Sequence, residues 1–133
     1  MIVDTSVVVK AVARQEGWRE ALDLLSRTDL VSPDFLDLEV ANALTGILRS
    51  RKIDRVQLAF ALARASSLPI ARAPTLPLVP AATELSVRLY ASFFDCLYLA
   101  LAIDRSDVLV TADLKFVNAV NSAEALKRRV RPL

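Results

Sequence analysis

Ile2-Val3-Asp4-Thr5-Ser6 stands at the head of the chain. Two apolar β-branched residues predict a short buried strand. Asp4 follows where that strand should stop, and Thr5 and Ser6 offer a helix cap before the apolar run Val7, Val8, Val9. A carboxylate is thereby set at the carboxyl end of a strand, the edge at which open α/β sheets bind ligands. Glu39, Asp95 and Asp113 recur in similarly apolar settings. The expectation is that the fold gathers these four acids to hold a divalent metal.

Outward from that stretch, apolar strands alternate with helical stripes. A first helix is predicted over 7–14, broken by Gly17, and Trp18, Ala21, Leu22 and Leu25 form a second stripe. Leu30-Val31-Ser32 reads as a strand closed by Pro33. A long helix is predicted over 35–51, with Leu36, Val40, Ala43, Leu44, Ile47 and Leu48 inward. The next, over 55–65, is read with Val56, Ala59, Phe60 and Ala63 inward. Ser66 to Pro80 carries four of the six prolines and cannot be helix interior. It is read as a connection holding one edge strand, either Leu68-Pro69-Ile70 or Leu76-Pro77-Leu78-Val79. Helices are predicted over 81–90 and 94–103. Val108-Leu109-Val110-Thr111 is the clearest strand, followed by a helix over 114–120, a turn over 123–127 and a last edge strand over 130–133. This alternation predicts an α/β fold, a parallel sheet with helices on both faces. The length of 133 residues suits one domain over 1–133.

Absences narrow the chemistry. The chain has no histidine, which excludes Ser-His-Asp and Cys-His catalysis and the usual zinc sites. With only Gly17 and Gly46 it has no glycine-rich phosphate loop. Cys96 is alone and cannot form an internal disulfide, so a reducing, cytoplasmic setting is expected. No leader and no membrane-spanning run are visible. The net charge of +2 is modest, but Arg49, Arg51, Lys52 and Arg55 form one basic group and Lys127, Arg128, Arg129 and Arg131 another. Each reads equally as a solvated element end or as a phosphate contact.

Each acid has an ordinary reading beside the functional one. Asp4 and Asp113 suit helix caps or turns, and Asp95 suits a helix N-terminus. Glu39 falls between Leu36 and Ala43 on the inward side of its helix, with Asn42 nearby. A bare glutamate there is costly unless paired or bound to a metal. Together they say more. Carboxylates about 5 Å apart repel by roughly 3 kcal/mol per pair at an effective dielectric of about 20. Several such pairs approach the stability of a whole domain, about 5–15 kcal/mol. The cluster must be partly protonated, bound to cations, or absent. Hard oxygen donors select Mg²⁺ or Mn²⁺, and such ions polarise a phosphate and activate water for in-line attack.

Asp4-Thr5-Ser6, Glu39 with Asn42, Asp95-Cys96-Leu97-Tyr98-Leu99-Ala100-Leu101-Ala102 and Thr111-Ala112-Asp113 together resemble the landmarks of PIN-domain ribonucleases. In length and order the chain is similar to the VapC toxins of toxin–antitoxin pairs. The resemblance implies a parallel sheet of order 3-2-1-4-5 and Mg²⁺- or Mn²⁺-dependent cleavage of single-stranded RNA. It implies Asp4, Asp95 and Asp113 as metal ligands, and Glu39 as a ligand or as the residue orienting the attacking water. Ser6 and Thr111 become hydroxyl supports and Asn42 a supporting amide. It further implies a homodimer silenced by a small antitoxin. Phe94 departs from the tyrosine common before the third acid, and Cys96 replaces a common alanine. A phosphotransfer domain of the HAD type wants a second aspartate where Ser6 stands, and a receiver domain wants an acidic pair. A non-catalytic RNA-binding module of the same fold is the competing reading.

Overall fold

In the computed structural model, which describes residues 1–133, five short parallel strands form one sheet. They are β1 (Ile2–Val3), β2 (Val31–Pro33), β3 (Ala71–Ala73), β4 (Leu109–Thr111) and β5 (Val130–Pro132). Their spatial order is β3-β2-β1-β4-β5, the order expected from the resemblance. The chain reverses direction across the sheet between β1 and β4, where Ile2 pairs with Leu109 and Val3 with Val110. This is the switch point at which such sheets open a crevice.

Seven α-helices cover the two faces: α1 (Thr5–Val12), α2 (Trp18–Leu25), α3 (Leu36–Arg49), α4 (Arg55–Ser66), α5 (Val79–Leu89), α6 (Phe93–Asp104) and α7 (Leu114–Asn121). Short 3₁₀ turns span Leu76–Leu78 and Glu124–Leu126. α1 packs on β4 and against α2, α3 and α4, while α6 lies over β1, β2 and β4 with α5 beside it. Every residue of α6 from Cys96 to Ala102 is buried. A helix apolar on all sides has protein on all sides. No buried side-chain nitrogen or oxygen lacks a partner, and the Ser32 hydroxyl donates to the Val3 carbonyl across β1 and β2. No single helix is long and apolar enough to cross a membrane.

Two expectations need correction. α4 turns the opposite face inward. Ala61 and Ala65 are buried, whereas Val56 is 64% and Phe60 68% exposed. α4 lies against both α1 and α3, and alanines allow that close approach where valine and phenylalanine would hold the helices apart. The helix starts at Arg55, as the sequence predicts, and Asp54 caps it, with Gln57 closing a capping box. The third strand falls between the two candidate stretches, at Ala71–Ala73. Its register with β2 is Val31 to Ala71, Ser32 to Arg72 and Pro33 to Ala73. The flanking stretches contain Pro69 and Pro77, which lack the N–H a ladder needs. Arg72 is further held by Asp37, at 2.8 and 2.9 Å. Pro80 instead enters the first turn of α5, where an N–H has no intrahelical partner anyway.

Candidate active site

Asp4 ends β1 and caps α1. Its Oδ1 accepts from the Ser6 hydroxyl at 2.6 Å and from the Val7 N–H at 3.3 Å. Thr5 and Ser6, the caps suggested by the sequence, lie inside the helix instead. The side chain is only 8% exposed. Burial raises its carboxyl above the ordinary carboxylate range, against the hydroxyls of Ser6 and Thr111 and the Val7 N–H, which favour the anion.

Ser6 joins the two central strand ends. Its Oγ accepts from the Ala112 N–H at 2.8 Å and lies 3.3 Å from Thr111 Oγ1, and Thr111 Oγ1 accepts from the Asp113 N–H at 3.0 Å. Asp113 caps α7, with Oδ1 accepting from the Phe116 N–H at 3.0 Å. Both strand-end acids are thus set at helix starts by the same local chemistry. Ser6 and Thr111 form the bracket between them.

Glu39 reaches the same crevice from α3. Thr5 Oγ1 donates to its Oε2 at 2.7 Å, and the Tyr98 hydroxyl donates to the same oxygen at 2.7 Å. Thr5 and Tyr98 are 2.8 Å from each other. Burial, then the charge of Glu39, hold the Tyr98 phenol proton far above its ordinary range, so Tyr98 stays a donor. Asp95 comes from the first turn of α6. Burial first, then the charges of Asp4, Asp113 and Glu39, push its carboxyl from 3.8 to about 6, and nearby Ser92 offsets only part of this.

All four acids line one solvent-open cleft of about 490 Å³, at the carboxyl ends of β1 and β4. None of them forms a salt bridge; the chain's ion pairs involve Asp29, Asp37, Asp107 and Glu124. Lys10 is the one cation in the lining, and its Nζ donates to the Glu16 carbonyl at 2.7 Å. The donors are hard oxygens, and the uncompensated negative charge felt by Asp95 fits a divalent cation. As the side chains stand, no three of them converge into a group that could hold an ion. Like charges keep bare carboxylates apart, and holding one requires their side chains to turn inward.

Asn42 differs from its expected role. It is exposed, makes no hydrogen bond to the cleft acids and does not line the cleft, where Ala43 stands instead. At about 100° per residue, Asn42 and Ala43 flank Glu39 on opposite sides, about 60° and 40° round the helix, and the cleft lies on the Ala43 side. Thr5, Tyr98, Lys10 and Gln15 also line the cleft. Tyr98 was open to detection, because it lies on α6 one turn after Asp95. Neither basic cluster reaches the cleft. One occupies the turn between α3 and α4, and the other gathers at and just before β5. Cys96 is buried, and burial followed by the charge of Asp95 pushes its thiol up to about 11, which leaves no thiolate for chemistry.

A doubly wound α/β sheet with an acidic cleft at its switch point defines a broad class, and comparison narrows it. The PIN domain model matches residues 1–121, and the chain belongs to the PIN domain family. PIN domains are generally nucleases and typically use divalent metals. The crystal structure of PAE2754 from Pyrobaculum aerophilum is similar in fold, with a TM-score of 0.69 at 20% identity over 98% of this chain and 88% of that one. No curated protein matches the chain.

Proposed function

We propose that the chain is a Mg²⁺- or Mn²⁺-dependent endoribonuclease that cuts single-stranded RNA. The observation that carries this reading is the cleft itself: Asp4, Glu39, Asp95 and Asp113 face one solvent-open space with no ion pair among them. Asp4, Asp95 and Asp113 would hold the ion, which when bound supplies charge to a phosphodiester and acidity to a water. Glu39, fixed by Thr5 and Tyr98 through Oε2, turns its other oxygen to accept a proton from the attacking water. Ser6 and Thr111 keep Asp4 and Asp113 in register. From the ordered motifs of its sequence we further read the chain as the toxin of a VapBC-type pair, a homodimer silenced by a small antitoxin.

A second reading, a catalytically silent PIN-fold RNA-binding module, is favoured by the lack of convergence of the carboxylates. Cleavage of a mixed-sequence single-stranded RNA separates the two. An active nuclease cuts with Mg²⁺ or Mn²⁺ and stops with EDTA, whereas the module retains uncut RNA in both. Asp4→Asn keeps an oxygen to cap α1, so it should fold yet lose cleavage. Full activity of a nuclease-free Asp4→Asn preparation rejects the proposed chemistry. A small DNA-binding protein encoded just upstream supports the toxin reading.

A further inference from the structure

Phe94 is 53% exposed, yet its ring is braced. Phe35 and Phe93 meet it edge to face, with centroids 5.6 and 5.7 Å away. Phe35 in turn packs edge to face on Tyr98 at 5.3 Å, and Tyr98 is the residue whose hydroxyl holds Glu39. A continuous row of rings therefore runs from the carboxylates to the surface. Chain adjacency tightens the link. Phe94 directly precedes Asp95, and Leu38, 74% exposed, directly precedes Glu39. Leu38 stands one turn beyond Phe35, to whose carbonyl its N–H donates at 3.0 Å. Phe94 and Leu38 are thus exposed apolar residues next in the chain to two of the four acids, outside the cleft lining itself. Of the other large exposed apolar side chains, Val56 and Phe60 on α4 and Val87 on α5 have no such connection to the cleft, while Leu114, 62% exposed, directly follows Asp113 but offers no ring.

We propose that Phe94 is a stacking platform for one unpaired nucleobase of the strand whose phosphate lies at the carboxylates. The proposal rests on the nuclease reading above. A ring left half in water forgoes burial, but one already braced by its neighbours loses little rotamer freedom when a ligand covers it. Every nucleobase offers a π face to an aromatic ring, so such a platform is tolerant of sequence. A base inside a duplex has both faces covered by its neighbours. The exposed ring therefore selects unpaired strands, and it acts by stacking rather than by reading base edges.

The test uses the whole chain and a short unstructured RNA carrying 2-aminopurine, with Ca²⁺ in place of Mg²⁺ and cleavage checked on a gel. Stacking predicts quenching of the 2-aminopurine by the wild type and by Phe94→Tyr. Phe94→Ala should lose the quenching and bind roughly tenfold or more weakly, while circular dichroism shows it folded. Equal quenching and affinity in the wild type and Phe94→Ala overturns the platform and leaves the nuclease reading standing. Absence of RNA binding by all three proteins overturns both. A change of sedimentation in Phe94→Ala with RNA affinity per protomer unchanged assigns the ring to a contact between copies and overturns the platform.

Discussion

Replacing Asp95 by asparagine should stabilise the metal-free chain at neutral pH and do nothing for it in acid. Burial, then the charges of Asp4, Asp113 and Glu39, raise the Asp95 carboxyl from 3.8 to about 6. The folded chain thus binds this proton more tightly than the unfolded one. Stability from the group is full below about 3.8, drains as pH rises toward about 6, and stays lost above it. The gap corresponds to about 3 kcal/mol, but Asp95 is partly open to water, which screens its neighbours and leaves about 1–2 kcal/mol. At this chain length that is a rise in Tm of roughly 3–10 °C. The assay is thermal unfolding of both proteins in EDTA at pH 7.5 and pH 4.5. Asp95→Asn should melt higher at pH 7.5, and its advantage should shrink clearly at pH 4.5, inside the window from 3.8 to about 6, where only part of the penalty is felt. Adding Mn²⁺ at pH 7.5 should raise the wild type and leave the variant nearly unmoved. Equal melting at pH 7.5 without metal, or an advantage as large at pH 4.5, refutes the reasoning that crowded carboxylates destabilise the empty cleft.

Other expectations are simpler. Asp113→Ala removes a cleft oxygen and the cap of α7 together; denaturant unfolding should register a cost of about 0.5–2 kcal/mol, reversed in Asp113→Asn. Tyr98→Phe keeps the ring against Phe35 but leaves Glu39 with one donor fewer. It should lower kcat for RNA cleavage more than it raises KM, with no change in overall secondary structure by circular dichroism. Leu99→Ala, at a fully buried site of α6, should lose about 2–5 kcal/mol in urea unfolding. Phe60→Ser, on the outward face of α4, should alter stability by no more than about 0.5 kcal/mol, and a larger loss would mean that face is packed.

The parts of the fold set by local chemistry were legible. Ile2-Val3-Asp4 and Val110-Thr111-Ala112-Asp113 declare strand ends through β-branched runs stopped by an acid, and both acids cap the helices that follow. Glu39 was legible from helical periodicity alone. The face of α4 was not, because its sequence offers two apolar stripes, Val56-Ala59-Phe60-Ala63 and Leu58-Ala61-Leu62-Ala65. Only the closeness of α1 and α3 chooses the one rich in alanine. β3 was equally hidden. Ala71-Arg72-Ala73 has little strand preference of its own, and its conformation is imposed by the ladder with β2 and the grip of Asp37 on Arg72. In the cleft, the acids announce themselves by their apolar surroundings, but Thr5 and Lys10 do not. A hydroxyl or an amine in a helix becomes a cleft residue only through its neighbours in space.

The two outer strands have a bearing on how copies of this chain meet. Each is three residues long; one ends in Pro132, which offers no N–H, and the other carries the charged Arg72. Such margins are poor templates for adding a foreign strand, which guards against cross-β aggregation. Any self-association would thereby be steered away from sheet extension and toward helix surfaces.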